Sequence, residues 1–330
     1  MIASGGFAPR FMAGSRGRRL IMPGFHTGMV CAAVVILIIS AVGCELTSIT
    51  VPQAGSLLTS LGISAFVLPA LVLYLREKGK ANWSDAVLTL FWALFLDVIL
   101  FFPVAVAARL GAVYPLQDAR LIQLDQSIGV NVVHFQVWAS NHWLGYALDQ
   151  SYPLLFPLMK ISILLNVLTG KIKFAQDFLA SNIIAFAIGL PLFAMFPAIG
   201  PWYGFHLPVR LDESICQAAL LALRSPGTYT FNPPDGVICF PSFHVVWAIL
   251  CVQALWGFRW LRFPVSLLAG MIVLSTMSTG VHYFCDVLAG ILVAAISVLG
   301  SRWLRRSVFV DKRSASLPIT TQTVPEQVTI

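Results

Sequence analysis

Eight apolar stretches set the limits on this chain, near residues 27–44, 57–75, 86–108, 152–169, 180–199, 242–258, 263–279 and 281–300. Each has about 17 to 25 residues, enough for an α-helix to cross a hydrocarbon core about 30 Å thick. A segment in lipid must satisfy its own backbone hydrogen bonds, so the expected fold is all-α, a polytopic membrane helical bundle. Composition agrees: charged residues make up 11% of the chain, against about 25% in soluble domains.

The net charge of +7 would suggest a nucleic-acid partner in a soluble protein. Its distribution excludes that need. With eight alternating spans and the N-terminus inside, 16 of the 21 basic residues fall on one side. They include Arg10 to Arg19, Arg76 to Lys80, Lys171, Lys173, Arg259, Arg262 and the group from Arg302 to Arg313. Positive charge stays on the cytoplasmic side, so both termini are expected there, in a plasma (inner) membrane. Residues 1–25 and 307–330 are polar or Gly-, Arg- and Ser-rich and read as disordered tails.

Two outer segments are long, 109–151 and 200–241, and long connections commonly carry function. The first holds "NVVHFQVWASNHWLGYAL", in which His134, Asn141 and His142 interrupt apolar positions. That pattern suits helices lying in the outer interface. Asp97 and Lys160 interrupt spans, where an isolated charge is costly, so they are expected to face each other or a polar cavity. Cys216 and Cys239 share the outer loop 200–241. They read equally as a disulfide or as two thiols.

The chemistry concentrates in two places. "CFPSFHVVWAIL", residues 239–250, opens an apolar helix on Ser242 and His244. "LSTMSTGVHYFCDVLAG", residues 274–290, carries His282 and Asp286 four apart. On a helix these two share a face, and the carboxylate can hold the imidazole N–H and free the other nitrogen. By the alternating topology both segments open on the outer face, so His244 and His282 can converge. A zinc site needs three or four ligands. His206 lies on the same loop, but no third histidine or cysteine has ligand spacing.

"FPSFH" followed by "STMSTGVHYFCDVLAG" resembles the second and third motifs of the phosphatidic acid phosphatase type 2 superfamily. The nearest branch is that of the inositol phosphorylceramide synthases, and the resemblance covers roughly 110–300. It implies metal-independent catalysis without a cofactor. His282 would be the nucleophile that forms a phosphohistidine, Asp286 its support, and His244 the general acid and then base. Ser242 and the backbone around Phe243 would bind phosphate oxygens at a helix N-terminus. The substrate would be a lipid phosphate or phospholipid at the extracytoplasmic face, cleaved by water or transferred to an alcohol.

This chain departs from the family where phosphate is normally held. Ser275-Thr276 stands where the third motif carries Ser-Arg, and the first motif is not recognisable. Charge on the equatorial phosphate oxygens needs a substitute. Arg224 in "LALRSPG" is the first candidate, followed by Arg210, Arg120 and Lys160. The expected organisation is a tail (1–25), N-terminal transmembrane helices (26–108), a catalytic membrane domain (109–300) and a basic, then disordered, tail (301–330). The rival reading is a non-catalytic lipid-binding or transport protein that keeps the fold. Oligomeric state has no signature in the sequence.

Overall fold

The computed structural model describes residues 24–51, 67–208, 211–230 and 237–314. Both expected disordered tails lie largely outside these residues, as does most of the second apolar stretch.

Helix α1 spans Phe25–Leu46, residues 67–77 form α2, and α3 (Ala81–Ile99) runs into α4 (Phe101–Leu110). Then come α5 (Asp118–Ser127), α6 (Val132–Ser140), α7 (Trp143–Ser151), α8 (Leu155–Leu168) and α9 (Ile172–Met195). The chain continues through α10 (Pro201–Gly204), α11 (Leu211–Arg224), α12 (Phe243–Leu255), α13 (Arg262–Ser278) and α14 (Phe284–Ser314). Among the described residues five helical stretches are long and apolar enough to cross a membrane: Phe25–Leu46, Ala81–Val113, Trp143–Leu168, Ile172–Met195 and Phe284–Ser307. Helices α12 and α13 are apolar but shorter, at 13 and 17 residues.

Several boundaries differ from those read in the sequence, each for a physical reason. The span expected at 180–199 is α9, which starts eight residues earlier and ends at Met195. Its polar first turns are tolerated because Asp177 pairs with Arg305 on α14. The basic stretch after residue 301 continues α14 as helix to Ser314 instead of leaving it as a tail. The segment 109–151 contains α5, α6 and α7, with α6 and α7 both packed on α13.

Helix α12 is the centre of the bundle and packs against α8, α9, α13 and α14. Val245, Ala248, Leu250, Cys251 and Ala254 on it are fully buried. Apolar side chains alone give little reason for helices to associate in lipid, so small residues and polar pairs set the packing. Asn166 on α8 donates to the Ala254 carbonyl at 2.8 Å. Ser181 on α9 bridges Gln253 on α12 and Ser301 on α14 at 3.2 and 2.8 Å. Gly290 lets α14 approach the first turn of α12: a Cβ there would lie 2.6 Å from the Ser242 carbonyl oxygen.

Two residue-pair strands, β1 (Ile49–Thr50) and β2 (Tyr229–Thr230), run parallel and tie the loop after α1 to the loop after α11. Arg109 strengthens the same corner by donating to the carbonyls of Thr47, Leu223, Ser225 and Gly227. The loop after α1 and the end of α4 are thereby pinned to the loop after α11.

Candidate active site

His282 lies in the turn between α13 and α14, before the helix that carries Asp286 begins at Phe284. The expectation that both residues share a helical face is therefore corrected. The turn starts at Gly280, whose φ of +77° suits glycine. The N–H groups of Val281 and His282 both donate to the Thr276 carbonyl at the end of α13, at 3.1 and 3.0 Å. Asp286 folds back over the turn and accepts the Tyr283 N–H at 2.8 Å. This brings its Oδ2 to 3.4 Å from His282 Nδ1. A turn and a helix cap thus bring the two groups together, although neither His282 ring nitrogen makes a hydrogen bond among the described residues.

The other half of the site is the N-terminus of α12. Ser242 is its N-cap, fully buried, and its hydroxyl accepts the Val245 N–H at 3.5 Å. That places the Ser242 side chain at the helix cap. The Ser242 N–H donates to the Asp286 carbonyl at 3.1 Å, which joins the two motifs directly. The Phe243 and His244 N–H groups open the helix and have no hydrogen bond to the described residues. They are the orphan donors that make a helix N-terminus an anion site. The Phe243 ring itself is buried against Phe186 and Trp247.

His244 is half-buried and stacked on Tyr152, with ring centroids 4.6 Å apart and planes 23° apart. The His244 and His282 rings lie 5.6 Å apart at 61°. Stacking fixes one ring and the Asp286 contact faces the other, leaving His282 Nε2 away from the carboxylate. A neutral imidazole with a carboxylate behind it has the form of a nucleophile.

Two aspartates that the sequence reading passed over, and one cysteine it read only as a thiol or disulfide partner, hold this arrangement. Asp125 on α5 accepts the N–H groups of Phe284 and Cys285 at 2.8 and 2.9 Å and so caps α14 from outside. Asp118, seven residues earlier, accepts from Ile199 and Gly200 N–H and from the Tyr283 hydroxyl at 3.1, 2.9 and 3.0 Å. Burial raises the Asp118 carboxyl, and these donors act against that rise. The spacing of the two aspartates in "LQDARLIQLDQS" was the available signal: seven residues is two helical turns, one face. The third is Cys239, in no disulfide, whose thiol donates to Asp286 Oδ2 at 3.1 Å. Cys239, His282 and Asp286 offer three ligand-type atoms within 4.8 Å. Burial pushes the Cys239 thiol well up, which keeps it a hydrogen-bond donor.

The candidate phosphate cations are placed elsewhere. Arg224 donates to the carbonyls of Gly111 and Tyr114 at 2.9 and 2.6 Å, bracing the turn after α4. Arg120 and Lys160 are exposed on α5 and α8. Arg210 lies outside the described residues. His206 sits in the turn after α10 with a positive φ of 55°. Among the described residues no ion pair joins Asp97 to Lys160. Asp97 instead lines a cavity of about 240 Å³ with His244, Asn182, Phe156, Phe186 and Trp247.

No curated protein and no solved structure matches the chain. The family model described as the PAP2 superfamily matches residues 119–300, more than half of the 330 residues. That range holds the α12 N-terminus, the His282 turn and the capping Asp125, and it begins one residue after Asp118. On this match the chain belongs to the PAP2 superfamily, whose members have a phosphatase- or phosphotransferase-type fold.

Proposed function

We propose that the protein is a membrane lipid phosphatase or phosphotransferase working through a phosphohistidine at the extracytoplasmic face of the plasma (inner) membrane. The observation that carries this reading is the facing pair of His244 and His282, 5.6 Å apart, with Asp286 3.4 Å behind His282. His282 Nε2 attacks phosphorus, and the bond from phosphorus to the leaving oxygen breaks. His244 gives that oxygen its proton. Asp286 faces the positive charge that develops on the ring. An acceptor hydroxyl then loses its proton to His244 and attacks phosphorus, and the N–P bond breaks. The Phe243 and His244 N–H groups take the charge on the equatorial oxygens, a task that other members give to arginine.

Helix α12 has 13 residues, about 20 Å of rise. With Arg259 and Arg262 at the cytoplasmic side, His244 then sits within the depth of the membrane. The apolar cavity beside it suits a lipid substrate. We place the termini in the cytoplasm and count eight spans, α12 and α13 included. Within this frame residues 26–108 form an N-terminal addition and 109–300 the catalytic unit, in the manner of the inositol phosphorylceramide synthases.

Arg224, occupied by backbone carbonyls, favours the rival reading of a lipid-binding protein that keeps the fold. Vanadate separates the two, because it mimics pentacoordinate phosphorus. Binding that is lost in His282→Ala supports the enzyme. Absence of binding, or binding unchanged in that variant, overturns it.

A further inference from the structure

Asp97 brings a carboxylate to the wall of the cavity next to His244. Among the described residues it makes no hydrogen bond and no ion pair. No lysine or arginine lines the cavity. Its other polar wall residues are His244 and Asn182, and the Asn182 Oδ1 already accepts from Trp247 Nε1 at 2.9 Å. Most of the remainder is aromatic or aliphatic, including Phe101, Phe156, Phe186, Phe243 and Trp247.

Asp97 is exposed on α3 at the edge of this apolar wall, and a carboxylate within a membrane span is costly unless a cation meets it. A phosphate drawn to the α12 N-terminus makes the imbalance worse, since it adds negative charge to the same cavity. The protein supplies little to offset either charge: Ser275 and Thr276 are fully buried where arginine is expected. Arg109 and Arg224 are held by backbone carbonyls. A ligand that brings its own cation balances both anions at once. The aromatic faces around the carboxylate are suited to an ammonium group, which they attract through the ring quadrupole.

We infer that the cavity between α3, α8, α9 and α12 is a subsite for an ammonium-bearing phospholipid headgroup, with Asp97 as its specificity-determining residue. This rests on the phosphotransfer reading for where the phosphate sits. The volume of about 240 Å³ is room for on the order of eight water-sized groups, enough for a phosphorylated amino alcohol. Asp97 belongs to α3, outside the family-matched residues 119–300, so the subsite is an addition of the N-terminal helices.

The test uses the full-length protein with short-chain phosphatidylethanolamine and phosphatidylcholine against phosphatidylglycerol and phosphatidic acid of the same chains. Binding is measured on His282→Ala, and turnover on the wild type. The ammonium lipids are expected to bind about tenfold more tightly than phosphatidylglycerol. Asp97→Asn should abolish that preference, weakening the ammonium lipids without weakening phosphatidylglycerol, and Asp97→Glu should retain it. Equal binding of all four headgroups, or a uniform loss in Asp97→Asn, overturns the subsite. Turnover of phosphatidic acid with no ammonium preference in binding overturns the subsite and leaves the phosphotransfer reading standing. Ammonium-selective binding without any turnover supports the subsite and counts against the enzyme.

Discussion

Gly290→Ala tests how the two histidines are held together. Gly290 lies one turn beyond Asp286 on α14, where a Cβ would meet the Ser242 carbonyl oxygen at 2.6 Å and the Val245 Cβ at 3.0 Å. An unstrained C···O contact is about 3.3 Å, so the first turn of α12 must retreat by about 0.7 Å. The retreat pulls on the hydrogen bond from Ser242 N–H to the Asp286 carbonyl, 3.1 Å long. It also moves His244 away from His282. Overpacking costs about 1–3 kcal/mol, offset by up to about 1 kcal/mol of helix propensity gained over glycine. A misplacement approaching 1 Å costs on the order of 100-fold in rate. The assay is phosphate release from a short-chain lipid phosphate by the purified protein in detergent, with thermal unfolding measured in parallel. Gly270→Ala is the control, since a Cβ on that α13 glycine meets nothing within 4 Å. It should stabilise slightly and leave turnover alone. Wild-type turnover in Gly290→Ala, or an equal loss in Gly270→Ala, would refute the claim that the α12–α14 approach sets the pair.

Two further outcomes are expected. Asp118→Asn leaves three donors short of a full acceptor and should cost about 3 kcal/mol. It should also lower turnover by loosening Tyr283 beside His282, with Tyr283→Phe milder at about 1 kcal/mol. Arg224→Ala should destabilise the outer turn by about 2 kcal/mol with KM unchanged. A selective rise in KM with stability intact would put Arg224 in the phosphate cradle.

The hydrophobic runs made the helices legible in the sequence, and His244, His282 and Asp286 stood out as polar groups in apolar context. Their meeting was readable from spacing, but the means was not. His282 precedes its helix, because the Asp286 carboxylate caps the turn at Tyr283 instead of stacking along a helix face. Ser242, expected as a phosphate contact, is also the N-cap of α12, a role that a serine before an apolar helix commonly takes. Asp118 and Asp125 went unnoticed because their partners are backbone groups some 80 and 160 residues away. Arg224 was favoured for its place in the chain. Its carbonyl partners at Gly111 and Tyr114 exist only once α4 and α11 have packed.

The most direct test of the phosphotransfer chemistry is rapid quench of the full-length protein turning over a radiolabelled lipid phosphate, followed by mapping of the acid-labile, base-stable label. The expected result is label on His282, absent in His282→Ala and longer-lived in His244→Ala. Turnover with no label on His282, or label on another residue that survives His282→Ala, would contradict it.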